Sequence, residues 1–340
     1  MVFILRTQKL TRQFKFGASS HVIGAISFKA GAMWPYRLVT GIWNDLLEQQ
    51  PENVTISTHT TVEAVSVDTS ATRYTQSVKT SRGTIAARNV LHATNGYAPY
   101  LVPSLTSCLS GFSAVMTAQE PGEVFPIQSP ERSWGIAHNP DFEYITQLVP
   151  DEKKGEKQGL LMVGGAFARS QNQGLEAVGN WDDSVKGDAL TNMVLGGCME
   201  TVFEGWGRGG GIVSSWTGIL GMTGDQMPFV GRLGVEGQSD HTSADGTGAP
   251  GQWISAGYSG EGMVLAWLSA TAVAIMMLGL EDKELEGGNG MPGGKLKDWF
   301  PQEAFSMNQG RIRRAQLTRL MDRLALTVLC VCDANRCRVP

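Results

Sequence analysis

Apolar and polar positions change period several times along the chain. In SSHVIGAISFKAGAMWPYRLVTGIWNDLLEQQ (19–50) an alternating start breaks at Gly31 and Pro35, and Leu38, Ile42, Trp43, Leu46 and Leu47 follow at helical spacing. This predicts strand, turn, helix. NVTISTHT, VEAVSV, YTQSVKTS and TIAARNVLHATNG read as short strands, with Arg82-Gly83 as a hairpin tip and a buried strand over 89–93. SAVMTAQE, FEYITQLV and GLLMVGGAF continue the strand signal, and ALTNMVLGGCMETVF predicts a helix. GIVSSWTGILGMTGDQMPFVGRL reads as a strand and a loop, and the polar stretches DEKKGEKQG and GQSDHTSADGTGAPG as surface loops. WISAGYSGEGMVLAWLSATAVAIMMLG (253–279) predicts a short strand, a glycine-rich turn and a long apolar helix, and the basic stretch NQGRIRRAQLTRLMDRL is helical. No internal repeat is visible.

Composition narrows the class. With 340 residues and 42% hydrophobic content the chain can bury the core of one large or two smaller domains. A formal charge of −4 provides no basic field for nucleic acid or anionic lipid. The 42 glycines, well above a background of about 7%, fall in clusters that suit turns and close backbone approaches. Cys108, Cys198, Cys330, Cys332 and Cys337 form an odd set, a poor disulfide framework, which fits a reducing intracellular compartment such as the cytoplasm. The spacing in CVCDANRC is wrong for a zinc site, so no metal is expected. The first apolar run is too short for a signal-peptide core.

The turn in GYSGEG leaves the first N–H groups of its helix without intrahelical partners, a place suited to an electron-rich group. A serine nucleophile elbow has the same strand, turn, helix order, but its fifth position is Glu261, and no histidine follows His241 to serve as base. A membrane span over 262–280 is the other alternative: these 19 residues carry no charge, but Ser269 and Thr271 interrupt them and acidic residues flank them. A buried helix is the favoured reading. The Gly205, Gly207, Gly210 spacing imitates a dinucleotide fingerprint, but a helix precedes it and a strand follows, the reverse of what phosphate binding needs.

Several blocks, in order, resemble the D-amino-acid, glycine and sarcosine oxidase superfamily of FAD-dependent oxidoreductases (the DAO family), its fungal branch most of all. They are GAMWPYRLVTGIWNDLL, VEAVSV, SVKTSRGTIAARNVLHATNGYAPYL, TGILGMTGDQMPFVG with Asp225, Pro228 and Gly231 in register, and the 253–279 stretch. The resemblance spans about residues 20–315. It implies an α/β fold: a Rossmann-like FAD/NAD(P)-binding domain from 35–98 and 250–320, and an antiparallel-sheet substrate domain with helices from 15–34 and 99–249. A tail over 321–340 has no assigned role. It further implies FAD as cofactor, with Val62 at the adenine edge and Ala93, Thr94, Asn95 and Gly96 lining it. Gly218 and Leu220 would lie near the ring, and Tyr258, Ser259, Gly260, Glu261, Gly262 and Met263 would face the pyrimidine. The implied activity is oxidation of a C–N bond in a small-molecule amine or amino acid by hydride transfer to flavin, with oxygen as electron acceptor.

This sequence departs from the family pattern in three places. The strand, G-x-G-x-x-G and helix that hold the FAD pyrophosphate are missing before Gly31, so the first βαβ unit is expected to be lacking and FAD binding weak; a flavin-free, non-enzymatic fragment is the corresponding alternative. Leu220 and Val264 stand where family members often carry an Arg and a Lys, so a bidentate carboxylate clamp is not expected. Tyr144, Arg132 and Arg169 lie in the presumed substrate sheet as candidates to handle substrate, and no catalytic residue is assigned.

Overall fold

A computed structural model describes residues 3–5, 17–27, 29–71, 73–126, 131–138, 141–155, 158–184, 187–234, 248–288 and 290–320. The strands in chain order are β1 (Phe3–Leu5), β2 (Ala25–Ser27), β3 (Val62–Val67), β4 (Gln76–Thr80), β5 (Gly83–Ala87), β6 (Asn89–His92), β7 (Leu109–Glu120), β8 (Ser133–Ala137), β9 (Phe142–Gln147), β10 (Leu161–Gly165), β11 (Gly211–Thr223), β12 (Phe229–Arg232) and β13 (Gly251–Ala256). The principal helices are α1 (Pro35–Gln49), α2 (Ala189–Val202), α3 (Gly262–Met277) and α4 (Gln309–Arg314).

The described residues divide into two compact units, those within 3–34 and 113–219 in one and those within 35–112 and 220–320 in the other. The expected boundaries ran at 98/99 and 249/250; here 99–112 and 220–234 pack with the unit that holds the glycine turn.

The first unit is built on a five-stranded antiparallel sheet in the order β11-β7-β10-β9-β8. Alternate residues of β9 face opposite sides, so Glu143, Ile145 and Gln147 are buried while Phe142 and Tyr144 face outward. The buried side meets α2, whose Leu195 and Met199 pack with Ile145, Leu161, Val163 and the aromatic group Phe125, Phe203 and Trp206. Strand β8 was not anticipated from SWGIA, because a glycine and an alanine dilute its alternation.

In the second unit, β12-β13-β6 forms a small mixed sheet and β3-β4-β5 an antiparallel meander. Every residue of β13 is buried, as expected of a central strand, and it runs antiparallel to β12 and parallel to β6. One core packs Val230 and Trp253 against Ala272, Val273, Ile275 and Met276 of α3. A second joins Leu105, Leu109, Phe229, Ile254 and Ala315. Two strand expectations need correction. Residues 53–60 are irregular, since the polar turn formers of NVTISTHT outweigh its β-branched residues. The predicted buried strand 89–93 is the edge strand β6, in which only His92 is buried.

A buried polar chain joins the two sheets of this unit. Gln252 Nε2 donates to Gln76 Oε1 at 3.2 Å, which turns Gln252 Oε1 toward His92 Nε2 at 3.0 Å. His92 therefore carries its proton on Nε2 and is neutral, and burial holds its pKa below the usual 6.5, the Gln252 bond opposing the shift.

Arg311 supplies a second buried link. Its side chain is fully enclosed: Nε and Nη2 grip Asp225 at 2.6 and 2.9 Å, Nη1 donates to Pro228 O and Ala304 O, and Nη2 to Met227 O. The guanidinium lies 4.5 Å from the Phe229 ring centre. All five N–H donors are thus used, the condition under which a buried guanidinium is tolerated.

Two tests follow from these links. Because the unfolded chain protonates His92 first, the stability this residue contributes is complete above about pH 6.5 and is lost as pH falls through that value. Thermal midpoints at pH 7.5 and 5.5 should therefore differ less in His92→Gln than in the parent; an equal drop would exclude His92 as the cause. Arg311→Met strands the Asp225 carboxylate and should cost about 3–5 kcal/mol in denaturant unfolding.

Candidate functional site

The parallel pairing of β6 and β13, with Ile254 opposite His92, brings their carboxyl ends side by side. The turns that follow, 93–96 and 257–261, therefore emerge together, at the position where open α/β sheets bind ligands. Asn95, at φ 47°, bridges them: its Oδ1 accepts the Gly257 amide at 2.9 Å and the Tyr258 amide at 3.3 Å. Asparagine tolerates this left-handed backbone better than most residues.

The end of β11 forms the third side. Ser259, also left-handed at φ 50°, donates its amide to Gly221 O at 2.7 Å, and its hydroxyl accepts the Thr223 amide at 3.2 Å. Thr223 Oγ1 donates to Met227 O at 2.9 Å, which ties the turn to the segment held by Arg311. Gly221 has to be glycine: a Cβ there would stand 2.4 Å from Asn95 Oδ1 and 2.8 Å from the Gly96 nitrogen. Gly257, at φ 80°, is equally confined, with a Cβ 2.8 Å from the Thr223 methyl.

Ser259 is thus a turn residue engaged with β11, which agrees with setting aside the nucleophile elbow. Tyr258 turns back to Ser255, their hydroxyls 2.6 Å apart, and burial raises its phenol pKa against the opposing bonds to Ser255 and Ser269. Helix α3 begins after Glu261, whose side chain makes no capping bond. The amides of Gly262 and Met263 have no acceptor among the described residues, so both N–H groups are available at the positive end of a 16-residue helix. Such a donor pair suits the carbonyl end of an electron-rich heterocycle, and this is the test a flavin site must pass.

The other expected residues are placed as follows. Ala93 and Thr94 are exposed in the turn after β6, and Gly96 is buried within it. Leu220 lies in β11 next to Gly221, while Gly218 is on the part of β11 that belongs to the first unit. Val62 starts β3 in the meander, where the register with β4 shifts, and no hydrogen bond joins it to the turns among the described residues. Val264 is exposed in the first turn of α3. Thr223 and Gly221 were not singled out from sequence. Their signal was the glycine spacing in TGILGMTGD, which does not show which backbone each glycine must approach.

In the first unit, Tyr144 lies on the sheet face opposite α2 and its cross-strand neighbours are Gly135 and Gly164. Its ring covers Gly164: a Cβ at that glycine would fall 2.5 Å from ring carbon Cζ. Burial raises its phenol pKa. Arg169 is already engaged, with Nη2 at 3.3 Å from His138 Nδ1, while His138 Nε2 meets Glu143 Oε2 at 2.6 Å. Burial raises the Glu143 pKa, and the bond from His138 opposes it. Cys108 and Cys198 are free thiols raised by burial to about 11 and about 12, so neither is a ready thiolate nucleophile. Among the described residues no cluster suited to a metal ion occurs, and no helix is long and apolar enough to cross a membrane. Residues 262–280 hold the 16-residue α3 and a turn, so the span alternative is not supported. The cysteines of the tail lie outside the described residues.

These features define an α/β protein with a parallel strand pair, whose turns converge, and an antiparallel sheet. The family model for FAD dependent oxidoreductase (DAO) matches residues 4–276, and the chain belongs to that family, whose cofactor is FAD. Its fold is similar to glycine oxidase from Bacillus cereus ATCC 14579, with a TM-score of 0.59 at 14% identity over 82% of this chain and 66% of that one. It is also similar to iminodiacetate oxidase from Chelativorans sp. BNC1, with a TM-score of 0.55 at 13% identity over 90% of this chain and 67% of that one. L-proline dehydrogenase from P. horikoshii gives 0.52 at 16% identity over 82% and 67%. The chain spans about half to two thirds of the length of solved structures it matches, from 47% to 67%. No curated protein matches it.

The confinement of Gly221 is open to test. Gly221→Ala should displace the Asn95 side chain and destabilise the second unit by about 1–3 kcal/mol, as overpacking does. Denaturant unfolding measures it, and an unchanged midpoint would mean that β11 does not press on Asn95.

Proposed function

We propose that this protein is a flavin-site member of the amine and amino-acid oxidising branch of its family, near the fungal members whose blocks its sequence resembles. The observation that carries this reading is the convergence of turns 93–96 and 257–261 on the end of β11, with the Gly262 and Met263 amides left without partners. In this reading Tyr258, Ser259, Gly260, Glu261, Gly262 and Met263 hold the pyrimidine end of the flavin. Asn95, Gly96, Gly218 and Leu220 border the ring, Ala93 and Thr94 line the cofactor, and Val62 marks the adenine edge. FAD held by these residues would supply the hydride acceptor for oxidation of an amine to an imine, with oxygen as the final two-electron acceptor. The chain's own part is electrostatic: fixed N–H donors and a helix N-terminus where negative charge gathers.

Leu220 and Val264 supply no carboxylate clamp, and Arg169 is engaged by His138. This supports an amine substrate without an obligatory α-carboxylate. Tyr144 is a phenol on the face of the antiparallel sheet opposite α2, where its ring covers Gly164.

Two measurements check this. Flavin titration of the purified chain should give saturable binding of FAD; absence of binding at any FAD concentration would overturn the flavin reading. With FAD in excess, peroxide release should be seen with simple amines, and activity confined to α-amino acids would refute the substrate reading.

A further inference from the structure

We propose that Asn95 is a positioning residue, one that sets the 257–261 turn through its carboxamide oxygen and must stay uncharged because its NH2 group faces the ligand. The second half rests on the flavin reading above.

Two backbone amides, Gly257 at 2.9 Å and Tyr258 at 3.3 Å, point at the same side-chain atom of Asn95. Amides only donate, so that atom is the oxygen and the NH2 group points away from the turn. Its two N–H donors have no acceptor among the described residues, and Asn95 is only partly buried. The clamp answers a need of the fold: beyond the last rung of the β6 and β13 pairing, the amides of the 257–258 turn have no ladder partner. Gly221 fits against the same oxygen with no room for a Cβ, so the clamp is closed on its third side.

The identity of the residue separates a structural from a ligand-directed role. If holding two amides were its whole task, aspartate would serve better, since a carboxylate accepts stronger, charge-assisted bonds and also tolerates the left-handed backbone. Asparagine gives up that strength and gains a neutral side chain with two free donors. That exchange favours a neighbouring group rich in acceptor oxygens, which a carboxylate would repel. Glycine, which also suits φ 47°, has neither acceptor nor donor, so Asn95→Gly removes the clamp without straining the backbone.

Asn95→Asp and Asn95→Gly, prepared as full-length chains, divide the two roles. Without flavin, amide hydrogen exchange at Gly257 and Tyr258 should stay as slow in the Asp variant as in the parent and become faster in the Gly variant; unchanged protection in the Gly variant overturns the clamp. FAD affinity, followed by quenching of flavin fluorescence, should fall by about tenfold or more in the Asp variant despite intact protection. Parent-like affinity of that variant overturns the ligand-facing role. If the parent chain binds no FAD at all, the flavin reading fails and the ligand-facing role falls with it, while the exchange experiment still decides the clamp.

Discussion

The buried pair of Arg311 and Asp225 organises the site from a distance. A guanidinium with no exposed surface is stable only when each donor has an acceptor, and here the acceptors are Asp225 and three backbone carbonyls. Meeting that condition fixes the backbone of 225–228. Met227 O also receives Thr223 Oγ1, and Thr223 in turn donates its amide to Ser259. The solvation demand of one charge is thereby converted into the position of a turn on the far side of β12. A hydrophobic residue in place of Arg311 would fill the space without specifying these carbonyls.

Asn95 completes what Arg311 begins. Parallel strands end with their loops adjacent, but adjacency alone leaves loop amides unpaired and free to adopt several arrangements. The carboxamide oxygen between 95 and 257–258, and the Ser259 amide on Gly221 O, remove that freedom from two directions. What remains unpaired is the pair of amides at the start of α3, the groups whose field a ligand would meet. Left-handed residues at 95, 257, 259 and 260 are the cost of the arrangement, and they lie at the convergence and not along the strands that lead to it.

The elements with a clear period were legible in the sequence. The apolar run of β13, the strand signal of β7, the helical spacing of α1 and the helix α2 all appear where expected. The block resemblance located the turns at 93–96 and 257–263, because glycine spacing and the Ala-Thr-Asn-Gly letters survive without knowledge of contacts. The partners did not. Nothing in NQGRIRRAQL indicates which of its three arginines and two glutamines is buried, and Arg311 looks like its neighbours until Asp225, distant in sequence, is placed beside it. Val62 and Gly218 were placed by block order alone, and neither joins the hydrogen bonds of the turn. A motif shows that a backbone bends, and long-range hydrogen bonds decide what it bends around.

Helix α1 shows the same distinction in energetic terms. Its stripe of Leu38, Ile42, Trp43, Leu46 and Leu47 was enough to predict the helix, yet four of these side chains are exposed, Ile42 is half-buried, and no residue of α1 is buried. A 15-residue helix in water is marginal on propensity alone, since most helical stability comes from packing of the apolar face. Edge strand β6, with Leu91 exposed, presents a related demand in backbone hydrogen bonds, and the outer face of α3 adds Met263, Val264 and Trp267. Periodicity records which face a segment must cover. It carries no information on what covers it, so the correct prediction of α1 and the incorrect prediction of a buried 89–93 have one physical origin: a segment's burial depends on its neighbours and not on its own residues.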